Sequence, residues 1–415
     1  MTTPRKPQTL GLAPSFGFGD RLGSATPGHL DALRACGSGI APIFAQQSIR
    51  EMARTRRTAD DVMQAACSAL ADEGFSGAWG ADADHLKTAG DVEVTAAAGF
   101  GFFTIDPSDH VDFEADGYDA NVLAERFDAV RGQVDWVDDY LGKTVRIDRG
   151  PTIEMDAPTV QRAAVKYGRA IEHAKRIAAH VSRVMGERDE DYEIELSVDE
   201  TPQPTTLAEH YIIANECLRS GMKLVSLAPR YIGDFEKGID YKGDTEALAR
   251  SLADHVAIAR QLGPYKLSLH SGSDKLSIYA IFARVTGGLF HVKTAGTSYL
   301  EALRVVVRHD EALLRHIIDF SRERFESDRA TYHISARLDR VAPPVEIGDV
   351  RQLETLYLNE DDGRQILHVT FGSVLTDAKF GPAIHQLLAA EPQTHREVLA
   401  EHFRKHLRAL KQGMS

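Results

Sequence analysis

Two histidines, His270 and His291, stand where short alternating runs meet turns rich in glycine and hydroxyls. Residues 266–270 run into Ser271-Gly272-Ser273, and residues 289–293 run into Thr294-Ala295-Gly296-Thr297-Ser298. A period of two places His270 on the face of Ser268 and His291 on the face of Lys293. Imidazole nitrogens at two strand ends, with carboxylates nearby, form a donor set for Zn²⁺, Mn²⁺, Ni²⁺ or Fe²⁺, and the residue types do not choose among them. The carboxylates come from elsewhere. In residues 192–198, Ile194, Leu196 and Val198 share one face, leaving Glu193, Glu195, Ser197 and Asp199 on the other. Buried acidic groups are costly unless paired or metal-bound, so Glu195 is expected beside the histidines. The run Asp82-Ala83-Asp84-His85-Leu86-Lys87 adds Asp84 and His85 as further ligands. Each histidine alone also fits a satisfied core residue, and the Asp-His run fits a charged turn.

Proton transfer falls to Asp106, fixed where a strand stops before Pro107, to Glu200, or to Lys293. Lys293 is also suited to a Schiff base. An anionic substrate on so acidic a chain needs local cations and donors. Lys87, Arg230, Ser271, Ser273, Lys275, Thr294 and Thr297 are the expected anchors. Arg50, Arg54, Arg56 and Arg57 fit either a solvated face or an anion clamp. The spacing Gly17-x-Gly19-x-x-x-Gly23 departs from the dinucleotide fingerprint, and Thr26-Pro27 follows it, so no nicotinamide cofactor is expected.

Holding these residues together requires a repeated scaffold. Strands ending in polar residues fall near positions 17, 44, 79, 103, 195, 226, 268 and 291, with helical segments between them. Eight such units predict an α/β fold, a (β/α)8 TIM-type barrel, over residues 1–340, with its chemistry at the carboxyl ends of the strands. An insertion of about residues 111–190 follows strand four, and residues 341–415 form a mainly helical extension packed on the barrel. The third strand is expected over 76–81, with the Asp-His run as its turn. The glycine-spaced aromatic loop 233–243 has the length of a lid. His173, His180, His385, His395, His402 and His406 are expected at the surface, and His368 either buried or facing the site.

Composition narrows the partners. A chain of 415 residues with 48 Lys+Arg against 61 Asp+Glu has a net charge of −13, which argues against nucleic acid. Cys36, Cys67 and Cys217 lack paired spacing, which argues against a disulfide framework or thiolate metal site. No apolar run reaches spanning length and MTTPRKPQTL has no apolar signal core, so no membrane partner and a cytoplasmic location are expected. A homo-oligomer is left open.

Several segments in one order carry a family resemblance: FGFGDRLGSATPGH, GADADHLKT, FFTIDPSDH, ELSVDETPQPTT, SLAPRYIGDFEKGIDYKGD, SLHSGSDKLSIY and FHVKTAGTSYLEALR. Over residues 11–300, and more weakly from 332 to 402, the chain resembles the tagaturonate epimerase family. The resemblance implies a metal-dependent barrel isomerase of bacterial hexuronate catabolism. It would interconvert D-tagaturonate and D-fructuronate, with action on ketohexoses in some members. The inverted carbon, C3, is β to both the carboxylate and the C5 ketone, so enolisation would act on the wrong centre. Retro-aldol cleavage of C3–C4 is the route that needs no nicotinamide. The competing readings are a phosphosugar aldolase or isomerase and a non-catalytic sugar-acid binding protein.

Overall fold

The computed structural model describes residues 6–294 and 296–415. Eight parallel strands close into a barrel: β1 (Ser15–Gly19), β2 (Ala41–Ser48), β3 (Gly80–Leu86), β4 (Phe102–Ile105), then, beyond the hairpin β5 (Lys143–Arg146) and β6 (Thr152–Met155), β7 (Glu193–Val198), β8 (Leu224–Pro229), β9 (Lys266–Leu269) and β10 (Phe290–Thr294). Around the barrel they run β1-β10-β9-β8-β7-β4-β3-β2. All eight expected strands are present, and the barrel is the fold the alternating pattern predicts.

The third strand is displaced. It covers Gly80–Leu86 rather than 76–81, so Asp82 and Asp84 lie within the strand and not in a turn after it. Reading charged residues as strand ends fails here because they face the barrel interior, where buried cations receive them. β2 likewise continues through Gln46, Gln47 and Ser48, three buried polar residues that resemble a loop in sequence. The insertion after β4 contains the antiparallel β5–β6 hairpin, unforeseen in so charged a stretch, and then the helix Ala157–Arg188. At the amino end of the barrel the backbone N–H groups of Leu10 and Gly11 donate to Glu193, closing that end with the N-terminal segment.

The C-terminal region divides. The helix Thr297–His309 leaves β10 but packs with Glu311–Asp328 and later helices in a second apolar core that includes Leu303, Ile317, Leu353, Ile366 and Ile384. The helix Pro392–Met414 returns to lie against both Thr26–Cys36 and Leu276–Thr286, and so occupies the eighth place in the outer ring. Residues 341–415 are therefore partly second core and partly barrel. His395, His402 and His406 are buried, whereas His385 is exposed as expected. His395, Leu399, His402, Phe403, His406 and Leu407 recur at helical spacing and form the buried stripe. The surface expectation overlooked that histidine can belong to an apolar face. No helix among the described residues is long and apolar enough to cross a membrane.

Buried histidines also set an acid limit. Burial lowers His29 to about 3 and His255 to about 4. Their ordinary value is about 6.5, so below it the unfolded chain takes up protons that the folded chain refuses. The thermal midpoint is expected to fall as pH drops from about 6.5 towards 4, above the range where most carboxylates titrate. A differential-scanning series across that window, with a flat midpoint as the contrary result, checks this.

Candidate active site

The centre of the barrel is built on Lys293, whose side chain is 1 % exposed. Its Nζ lies 2.8 Å from Asp82 Oδ2, 2.7 Å from Asp84 Oδ1 and 2.8 Å from Glu195 Oε1, and donates to Thr104 Oγ1 at 2.6 Å. Burial opposes the ammonium, but Asp82, Asp84 and Glu195 outweigh it and hold Lys293 above its ordinary pKa. Burial likewise opposes a charged Glu195, yet Lys293 and then His270 keep it well below the usual carboxylate range.

Above this layer His270 turns Nε2 to Glu195 Oε1 at 2.6 Å, and its Nδ1 lies 3.4 Å from Asp199 Oδ1. His85 sits in the left-handed region at φ 53°, which turns its ring out of the strand pleat and edge-on to His270 at 5.2 Å. Its Nδ1 lies 3.0 Å from Asp106 Oδ2 and its Nε2 lies 3.7 Å from Asp84 Oδ2. Burial disfavours the imidazolium, but Asp84, Asp106 and Glu200 prevail and push His85 up to about 10.

The strand-end histidines are not brought together. β10 pairs His291 with Ser268 of β9 and with Ser15 of β1, two residues below the level of His270. His291 is fully buried in the barrel floor, its Nδ1 2.9 Å from Ser15 Oγ. Lys293 takes the place next to His270 that the sequence reading gave to His291. Instead Asp84, His85 and His270 place one donor atom each within 4.8 Å of one another. Beside them the second oxygen of Glu195 is buried with no hydrogen-bond partner. An excess of carboxylates, two imidazoles and an orphaned oxygen fit a divalent metal ion, which Asp84, His85 and His270 would hold with Glu195 alongside.

A cavity of about 470 Å³ opens over these residues, lined by His85, Glu200, Arg230, His270 and Ser271 among others. An inner chamber next to it is lined by Asp84, Ser273 and Lys293. The other expected anchors lie elsewhere. Lys87 pairs with Asp109 at 2.6 Å and lines neither space. Lys275 is fully buried and donates to the carbonyls of Glu236, Ile239 and Ser273, tying down the loop after β8. Thr294 Oγ1 donates to Gly17 O at 2.7 Å, and Thr297 is buried at the start of its helix. Ala295 of the same turn lies outside the described residues.

Other residues also reach the cavity. Arg50 lies 3.1 Å from Glu200, and Lys237 donates to Ser271 Oγ at 3.0 Å. Tyr332 and His333 come from the second core and close one side. Gln46 and His368 line the inner chamber, and the Gln46 amide is buried without a partner. The loop after β8 is latched to that core, since Glu236 Oε2 accepts from Gln365 Nε2 and the Ser335 N–H, both at 2.7 Å. Arg50 carried a sequence signal as a member of a basic run after a strand, His368 as a histidine expected to be buried or to face the site, and Lys237 as part of the lid-length loop 233–243; Gln46, Tyr332 and His333 carried none.

Fold and site together define a (β/α)8-barrel enzyme whose mouth sets a rim of cations, Arg50, Arg230 and Lys237, beside an acidic floor. Comparison with known proteins agrees. The family model for tagaturonate epimerase matches residues 2–410, and the chain belongs to that family, whose enzymes are isomerases. The tagaturonate/fructuronate epimerase of Thermotoga maritima is 43% identical over 405 residues, covering 97% of this chain and 82% of that protein. A glycerol-complexed crystal structure of fructuronate-tagaturonate epimerase from Cohnella laeviribosi superposes with a TM-score of 0.91 at 38% identity, covering 98% of this chain and 83% of that one. The native crystal structure of the same enzyme gives 0.91 at 37%.

Proposed function

We propose that the chain interconverts D-tagaturonate and D-fructuronate by inverting C3 through retro-aldol cleavage and re-addition. The bipolar cavity is the observation that supports this most directly. Arg230 and Lys237 suit the substrate carboxylate, while His85, His270 and Glu200 face the space left for the reacting carbons. Asp199 and Glu200 both line the cavity, and Asp199 is engaged by Ser197 Oγ at 2.7 Å and by His270, so Glu200 takes the proton from the C3 hydroxyl. Asp106 is buried against His85 and acts by orienting that ring. Lys293, kept protonated by three carboxylates, serves as their counterion and not as nucleophile or base.

A bound divalent metal ion would act as a Lewis acid on the ketone. With O3 deprotonated, the C3–C4 bond breaks to a C3 aldehyde and an enediolate over C4 and C5. Rotation of the aldehyde presents its other face, C3–C4 re-forms, and Glu200 returns the proton to O3. The C3 hydrogen never leaves its carbon. The latched loop after β8 and Tyr332 shield the two fragments from water. The hydroxyls of Thr294 and Ser298 are spent on carbonyls of β1, which leaves less of that turn for a phosphate and disfavours a phosphosugar substrate.

Metal-replete turnover over keto-uronates, ketohexoses and ketose phosphates in D₂O tests the reading. The keto-uronates are expected to react fastest, with no deuterium at C3. Deuterium at C3 would exclude the retro-aldol route, and faster turnover of a phosphate would exclude the substrate. Arg230→Ala is expected to raise KM for the uronate by about 10- to 100-fold, the loss of a charged hydrogen bond, and to leave KM for a plain ketohexose nearly unchanged.

A further inference from the structure

A second cluster of ligand-type side chains lies outside the mouth, where the loop after β9 meets the helix Pro392–Met414. Asp274 Oδ1 lies 3.3 Å from His402 Nε2 and 3.4 Å from His406 Nε2. The two histidines are four residues apart on one helix and project to the same side. Both separations match the roughly 3.3–3.4 Å between two donors bound at about 2.0–2.1 Å to one tetrahedral ion. His402 is 9 % exposed and its Nε2 has no hydrogen-bond partner.

The far sides of the rings are also prepared. His402 Nδ1 lies 3.3 Å from Glu301 Oε1, and His406 Nδ1 lies 3.1 Å from the His402 carbonyl. Holding Nδ1 on a carboxylate or a carbonyl commits Nε2 to the ligand position, the usual support of a metal-bound imidazole. Asp274 is itself held by Arg364 at 2.8 Å through its other oxygen. A space of about 370 Å³ lined by Asp274, Glu301, Glu401 and His402 gives an ion access from solvent.

We infer that Asp274, His402 and His406 form a second metal site, taking a borderline divalent ion of the Zn²⁺ type with water as fourth ligand. Asp274 adopts φ 60° and follows Ser273 of the inner chamber, so the ion would clamp the β9 loop to the closing helix. Loading replaces one contact, the Asp274 N–H donation to His406 Nε2 at 3.1 Å.

The test uses tag-free full-length protein carrying His85→Ala and His270→Ala, which removes both imidazoles of the Asp84, His85 and His270 group. After chelator treatment it is expected to bind one Zn²⁺ per chain in titration calorimetry, with a raised thermal midpoint. Co²⁺ in its place is expected to give the visible bands of a tetrahedral ion. Adding His402→Gln and His406→Gln is expected to abolish that equivalent and those bands. Retention of the equivalent in the quadruple variant, or its absence before those changes, overturns the proposal. A zinc-edge anomalous map of soaked wild-type crystals decides the same question without any substitution. A peak between the three side chains supports the site, and a map with none there refutes it.

Discussion

His270→Ala is expected to lower kcat by about 10³-fold or more, because on the proposed route the Lewis-acid contribution of a bound metal is worth several kcal/mol and each 1.36 kcal/mol is tenfold in rate. The side chain is 2 % exposed and joins Glu195 at 2.6 Å to Asp199 at 3.4 Å. Its removal takes one of the two imidazoles from the Asp84, His85 and His270 group and leaves Glu195 short of a partner. Steady-state kinetics with added metal separates the two consequences. Recovery of activity at high metal concentration points to lost affinity, whereas an unrecovered kcat points to a lost position of the ion. Activity near the wild-type level without added metal would remove His270 from the mechanism.

Lys293→Met is expected to destabilise the fold by about 3–5 kcal/mol, the cost of leaving buried charges without their partner. Asp82, Asp84 and Glu195 all lose the one ammonium at their centre. The pH dependence has a definite sign. Asp84 and Glu195 have depressed pKa values in the folded chain, so their stabilisation is present at neutral pH and is lost as pH falls into the acid range. In the variant those carboxylates protonate more readily. The gap in thermal midpoint between wild type and Lys293→Met should therefore be smaller near pH 5 than near pH 7.5. Combining Lys293→Met with Asp82→Asn is expected to recover part of the loss, since contacting residues do not add. A thermal series showing equal gaps at both pH values would contradict the counterion role.

Much of this site was legible residue by residue. The acidic face from Glu195 to Asp199, the Asp-His run after position 81 and the strand-end position of His270 all lie at the barrel mouth or within its core, whereas Glu193 of the same face closes the amino end. The misplacement of His291 has a simple cause. Period two says which face a residue takes but not its height in a closed barrel. That height is set by inter-strand register, here Ser268 opposite His291. Asp82 and Asp84 read as a turn for a related reason, because alternation treats inward carboxylates as a break when their counterion lies more than 200 positions away in the chain, as Lys293 does.

Alternating pattern alone specifies eight strand–helix units, and with them a barrel and the end at which its polar residues gather. Ordered segments too long to coincide by chance specify the family as well. Which of the polar residues meet depends on how the barrel closes. Closure brought Lys293 against Asp82, Asp84 and Glu195, and sent Lys87 and Lys275 to other duties. It brought Tyr332 and His333 from a second core over the mouth, and made the helix Pro392–Met414 the eighth of the outer ring. The physical reason is the same throughout. Local pattern governs backbone conformation and burial face, whereas charge neutralisation and the covering of a cavity are satisfied between segments far apart in the chain, which only closure of the barrel makes neighbours.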